Sequence, residues 1–198
     1  MRGLSANVLA DDPRVIEAKR LILEALADHQ ERIVGIRPSN PDLRTAYAEL
    51  IAHFGELRGS PLFFPYLGNG FGNHSLVELA DGSVKYDFIT GIGVHSFGHC
   101  NPAIVRALLD AALTGIVMQG NLQQDAPVVP LVRALLDGSN RKGATLKHCF
   151  LSTSGAMANE NALKLIFQRN HPASRLLAFE SCFMGRTLAL ARVTDNPA

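Results

Sequence analysis

The spacing of apolar positions changes along the chain, and each change marks an element. Val15, Ala18, Leu21, Ile22, Ala25 and Leu26 recur at three- and four-residue intervals, the stripe of a half-buried helix. Asp12-Pro13 stands in front of it, a capping carboxylate followed by proline at the first helical position. Asn40-Pro41 repeats the device before Leu43, Tyr47, Leu50, Ile51 and Phe54, and Gly55 with Gly59-Ser60-Pro61 closes that segment. Residues 1–60 thus read as a separate helical N-terminal arm, free to pack on the body, on a partner subunit or across a site. From Pro61 the periods shorten. Asn69 to His74 is rich in glycine and asparagine and reads as a turn-forming loop. Leu76–Leu79 and Val84–Phe88 read as two strands around a tight Asp81-Gly82 turn. Asn101-Pro102 opens a helix through Leu113 with Ile104, Val105, Leu108, Leu109 and Ala112 buried. The polar stretch Met118 to Gln124 reads as a solvated connection. A further helix starts near Pro127, because Pro130 is tolerable only in a first turn, and Gly138-Ser139 ends it.

The most informative stretch follows. Lys147-His148-Cys149-Phe150-Leu151 reads as a short apolar strand that breaks at Ser152-Thr153-Ser154-Gly155 and restarts as a helix. Ala158, Ala162, Leu165 and Ile166 lie on one side of that helix, and Glu160, Asn161, Lys164 and Gln168 on the other. After Pro172, Arg175–Phe179 reads as a second continuous apolar strand. Strand, helix and strand of this length predict a βαβ unit in a parallel sheet, so the fold class is α/β. Ligands of such sheets bind beyond the C-terminal strand ends, which places Ser152–Gly155 and Glu180–Thr187 on one crevice. Hydroxyl side chains can cap the first turn, Gly155 lets a ligand approach the backbone, and the unpaired N–H groups of a helix start attract an anion. An ordinary capped helix after an ordinary strand carries the same local signature.

Composition then narrows the class. The 198 residues are 47% hydrophobic, enough for one good core or a larger domain with an arm. A formal net charge of +1 gives no electrostatic drive toward nucleic acid or an anionic membrane. No apolar run reaches membrane-spanning length, and the N-terminus, with Asp11 and Asp12 close behind it, does not resemble a secretion signal. Three widely spaced cysteines, Cys100, Cys149 and Cys182, suit a reducing compartment without structural zinc, so the expected localisation is cytoplasmic. Cys149, in an apolar segment, is expected in the core. His95 and His99 stand four apart, but Gly91, Gly93 and Gly98 oppose the helix that such ligation needs. No acidic residue is close in sequence, so no metal site is expected.

Four motifs carry a resemblance. Ser154-Gly155-Ala156-x-Ala158-Asn159-Glu160-x-Ala162-Leu163-Lys164 is similar to the phosphate loop of class-III (ornithine/acetylornithine-type) pyridoxal-phosphate aminotransferases of fold type I. Phe183-x-Gly185-Arg186-Thr187 resembles that family's Phe-His-Gly-Arg-Thr element. Asp87-Phe88-x-x-Gly91-Ile92-x-Val94 and Gly98-His99-x-Asn101-Pro102 resemble its N-terminal signature. The matches run in order from about Pro61 to the end; residues 1–60 match nothing. After the helical arm read over 1–60, the resemblance implies a small-domain segment with a β-hairpin over 61–110 and the truncated start of the cofactor-binding large domain over 111–198. It implies that Gly155 and Ala156 give backbone N–H groups to the phosphate of pyridoxal 5′-phosphate, with Ser154 at the turn and Phe183 stacked on the pyridine ring. Gln119-Gly120-Asn121 would occupy a loop that reaches the neighbouring subunit, so a homodimer with a shared active site is expected. Met184 departs from the family's usual histidine.

The family's Schiff-base lysine and the aspartate that pairs with the pyridine nitrogen lie downstream of these motifs. Neither has a match in residues 1–198, and Lys19, Lys85, Lys142, Lys147 and Lys164 all lie outside the expected crevice. No catalytic residue is therefore expected within these residues. They are expected to be inactive alone and to belong to an enzyme moving an amino group from an amino acid or ω-amine to a 2-oxo acid by a ping-pong route. Other fold-type-I activities on the same cofactor (aminomutase, decarboxylase, racemase) and a truncated, non-catalytic binding protein remain alternatives. A nucleotide-phosphate loop is disfavoured because no glycine-rich loop ending in Lys-Ser/Thr follows a strand.

Overall fold

A computed structural model describes residues 3–115 and 124–195. The chain forms two compact units, Met1–Ile116 and Val117–Ala198.

In the first unit, α1 (Ser5–Ala10) leads into α2 (Pro13–Gln30). Asp12 caps α2, its Oδ1 accepting from Arg14 N at 2.8 Å, and Pro13 takes the first position as the pattern requires. Asn40 does the same for a 3-10 turn, Pro41–Leu43, which runs into α3 (Arg44–Arg58). Gly59 ends α3 in the left-handed region at φ 75°. Three antiparallel strands follow in the order β1 (Gly68–Asn73), β2 (Leu76–Leu79) and β3 (Val84–Tyr86). Val77 faces Lys85 and Leu76 faces Tyr86 around the Asp81-Gly82 turn. There Asp81 Oδ1 accepts from both Ser83 N (2.9 Å) and Ser83 Oγ (2.6 Å). Thr90–Gly93 form a single distorted turn, α4, and α5 (Pro102–Ala112) starts at an Asn101 cap.

One expectation is corrected here. Asn69–His74 is not a loop: most of it is β1, which pairs with β2 across an irregularity between Gly68 and Gly72. The glycines that argued for a turn serve a close approach instead. A Cβ at Gly72 would lie 2.4 Å from Leu76 O and 2.7 Å from His99 Cβ. Of the placements left open for the first sixty residues, part of the segment packs on the sheet. Ile33 shares the core with Leu76 and Val84, with Phe71 packed against them, and Arg37 bridges to Val84. The Gln30 side chain donates to Gly72 O at 3.0 Å and Cys100 O at 3.2 Å, fastening the end of α2 to the sheet.

The second unit contains α6 (Val128–Asn140), α7 (Gly155–Arg169) and a 3-10 turn, Leu190–Arg192. Pro130 falls in the first turn of α6, as its missing N–H demands. The apolar segments on either side of α7 form no ladder. Residues 144–152 and 173–179 carry neither helix nor ladder, and no parallel pair exists among the described residues. A strand is defined by a neighbour, and neither segment has one here. Leu177 (95% exposed) and Phe179 (84%) stand correspondingly uncovered, and Cys149 is half-buried rather than core. Among the described residues the fold is thus a mixture of helices with an antiparallel sheet, consistent with the α/β class, and holds no parallel pairing. Among the described residues no helix is long and apolar enough to cross a membrane.

Candidate functional site

The first turn of α7 starts where the small residues begin. Ser154 is extended (φ −162°, ψ 162°), and its Oγ accepts from Met157 N at 3.2 Å. Ala158 N bonds to Ser154 O at 2.9 Å. Among the described residues Gly155 N and Ala156 N have no hydrogen-bond acceptor, so two N–H groups remain open at the positive end of a fifteen-residue helix. A Cβ placed on Gly155 would meet nothing within 4 Å, so the backbone there is approachable.

A loop folds over this turn. Gly185 adopts φ 138°, and a Cβ there would lie 2.9 Å from Ala156 Cβ and 2.7 Å from Leu190 Cδ1. Leu190 is fully buried beneath it. Asn159 Nδ2 donates to Met184 O at 2.8 Å, and the Thr187 hydroxyl donates to the Glu160 carboxylate. Phe183 is 57% exposed, and the Arg186 guanidinium lies 5.6 Å from its ring centroid. The structure therefore lays Gly185 against Ala156 and ties Met184 and Thr187 to Asn159 and Glu160 on the first turns of α7. A separate apolar cleft of about 450 Å³, lined in part by Val128, Val129, Leu151 and Met157, contains none of Ser154, Gly155, Ala156 or Phe183. Gln119-Gly120-Asn121 lies outside the described residues.

A second polar cluster lies in the first unit. His99 Nε2 is 2.8 Å from Asp87 Oδ2, and the His95 ring stacks on His99 at 4.3 Å and 25°. The sequence reading found no acidic partner for these histidines because Asp87 is twelve residues away across the turn at Thr90. No group of three or more His, Cys, Asp or Glu side chains among the described residues could hold a metal ion. Burial pushes the Asp87 carboxyl up. Hydrogen bonds from Thr90 N, His99 and Ile89 N outweigh that and hold it below the usual carboxylate value. With its folded pKa lowered, Asp87 stabilises the fold fully above about pH 4, and the contribution is lost as pH falls through the lowered value. Asp87→Asn should flatten the acid limb of a stability curve measured by urea unfolding from about pH 5 down to pH 3. It should also cost roughly 1 kcal/mol at neutral pH, because the amide oxygen still accepts from Ile89 N and Thr90 N but without the charge that strengthens those bonds and the one to His99. An unchanged acid limb would contradict this role.

With that geometry in place, comparison with known families decides what kind of chain this is. The model of the class-III aminotransferase family matches residues 71–198. The chain belongs to the class-III aminotransferases. It is 33% identical over 127 residues to the acetylornithine aminotransferase of Streptomyces clavuligerus, covering 64% of this chain and 30% of that protein. Identity to the acetylornithine aminotransferase of Corynebacterium efficiens is 36% over 129 residues, 64% of this chain and 31% of the other. A succinylornithine transaminase of Citrobacter koseri is 33% identical over 141 residues, 69% and 32% respectively. The chain thus spans about 30% of the length of the first of these relatives.

Class-III aminotransferases are pyridoxal-phosphate enzymes, and the residues of this chain fit that group. Two open N–H groups at a helix start and an approachable Gly155 suit a phosphate, and Phe183, two residues before the Gly185 that packs on Ala156, carries an exposed ring. The residues that fasten the loop to the helix escaped the sequence reading. Asn159 and Glu160 stood inside a recognised motif without an assigned partner, and nothing in the pattern marked Thr194, whose hydroxyl accepts from Met184 N at 3.1 Å.

Proposed function

We propose that this chain is the N-terminal portion of a pyridoxal-phosphate aminotransferase that moves an amino group from an amino acid or ω-amine to a 2-oxo acid. The observation that carries the reading is the pair of unpaired N–H groups at Gly155 and Ala156 under the Phe183–Thr187 loop, in a chain of this family. In this reading Gly155 N–H and Ala156 N–H donate to the phosphate, and the Ser154 hydroxyl keeps the first turn in shape by accepting from Met157. Phe183 stacks on the pyridine ring, and Arg186 braces Phe183 while leaving ring surface for that contact. Bound there, the coenzyme supplies the electron sink for amino-group transfer. Residues 111–198 begin the coenzyme-binding domain, 61–110 contribute a small-domain segment and 1–60 an arm. The working assembly is a cytoplasmic homodimer with shared sites.

Without a lysine for the covalent link, residues 1–198 bind the coenzyme but do not turn over. Titration of the chain with pyridoxal 5′-phosphate, followed by borohydride reduction and peptide mapping, tests both parts. Saturable binding displaced by inorganic phosphate, with no reduced lysine adduct, is the expected result. A lysine adduct within these residues would overturn the inactivity, and absence of phosphate-displaceable binding would overturn the coenzyme site.

A further inference from the structure

Phe183 combines an exposed ring with a backbone held on both sides. After it, Asn159 Nδ2 donates to Met184 O at 2.8 Å, and Met184 N donates to Thr194 Oγ1 at 3.1 Å. The same hydroxyl donates to Gly185 O at 2.9 Å. Before it, Cys182 O accepts from Asp195 N at 3.0 Å, and Ser181 N donates to Asp195 Oδ2 at 3.0 Å. A ring with two torsions on an anchored backbone is a preorganised surface, because little freedom is lost when a flat ligand settles on it. The tethers through Thr194 and Asp195 come from the chain's later residues. Asn159 differs from them in lying on α7, four residues after Gly155 and three after Ala156, hence on the same face as the first open turn.

From this we infer that Asn159 is a positioning residue: its hydrogen bond to Met184 O fixes the Phe183 ring at a set distance from the open N–H groups of Gly155 and Ala156. The inference rests on the coenzyme reading above and deepens it. The pairing selects a ligand that carries a phosphate and a flat heteroaromatic ring at the separation Asn159 maintains, over a phosphate without a ring. The amide suits the task because it donates to a carbonyl while its own oxygen stays available. A carboxylate at this position would set acceptor against acceptor.

The test compares two probes on the 198-residue chain: pyridoxamine 5′-phosphate, which has phosphate and ring, and inorganic phosphate, which has phosphate alone. Asn159→Ala, which removes the donor without adding charge beside the phosphate donors, should weaken pyridoxamine 5′-phosphate about 5- to 10-fold, the value of one hydrogen bond, and change inorganic phosphate less than about 2-fold. In a Phe183→Ala background the same substitution should add nothing further. Should Asn159→Ala fail to fold, Asn159→Leu, close in shape and equally without a donor or a charge, carries the same comparison. Equal loss on both probes, no loss on either, or an undiminished effect in the Phe183→Ala background would each overturn the inference. If the unaltered chain binds neither probe, the coenzyme reading falls with it. If it binds pyridoxamine 5′-phosphate without dependence on Asn159, only the positioning role falls.

Discussion

Gly155→Asp should remove phosphate-dependent coenzyme binding and leave α7 folded. The two effects separate because the substitution acts with opposite sign on them. An aspartate in the first turn of a helix favours the helix by about 0.3–1 kcal/mol through the N-terminal dipole. The added side chain also has room, since a Cβ on Gly155 meets no atom within 4 Å. The same carboxylate lies beside the N–H groups of Gly155 and Ala156, where it repels an incoming phosphate and competes for its donors. Two like charges about 4 Å apart at an effective dielectric near 20 repel by about 4 kcal/mol, so a loss of at least about 100-fold in affinity is expected. Fluorescence titration with pyridoxal 5′-phosphate at fixed ionic strength reads the affinity, and circular dichroism reads the helix. Gly155→Asn, neutral and of the same shape, should retain more of the affinity. Unchanged binding in Gly155→Asp would remove this turn from the coenzyme site.

Gly72→Ala should collapse the first unit. The new Cβ would sit 2.4 Å from Leu76 O, a backbone atom held by the hairpin, and 2.7 Å from His99 Cβ, so no small rotamer change relieves it. Displacing residue 72 also pulls its carbonyl from the buried Gln30 amide, which sits 3.0 Å away and would lose one of its acceptors. A cost of about 3 kcal/mol or more is expected, enough to unfold a unit whose buried apolar core rests on few side chains, among them Ile33, Leu76 and Val84. Gly35→Ala, where a Cβ meets nothing and φ is ordinary, should stay within about 0.5 kcal/mol. Urea unfolding followed by tyrosine fluorescence compares the two. Equal stability of both variants would show that β1 is not packed as described.

The contrast between these glycines also explains what the sequence could reveal. Local signals transferred well: Asp12, Asn40, Asn101 and Ser154 all cap the turns they were read to cap, and Asp81-Gly82 turns the hairpin, because each device involves neighbours within a few residues. Gly72 was misread because a glycine that serves a close approach looks the same as one that serves a turn. The expected strands around α7 form no ladder here for the opposite reason. Their apolar composition was plain, but a ladder needs a partner at a distance that composition cannot name. Of the candidate site, the capped helix start and its nearness to the Phe183 loop were legible from motif order. The fastenings between them, Asn159 to Met184 O and Thr187 to Glu160, were not, since side-chain partners more than twenty residues apart leave no periodic trace.

The uncovered segment at 173–179 has a consequence for the chain on its own. Apolar side chains such as Leu177 and Phe179, on a backbone without ladder neighbours, form a short sticky template. Another copy in the same state can dock there edge to edge, and nothing in the pairing limits growth to two. Self-association of the isolated chain is therefore expected to rise with its concentration, which sedimentation over a dilution series would show.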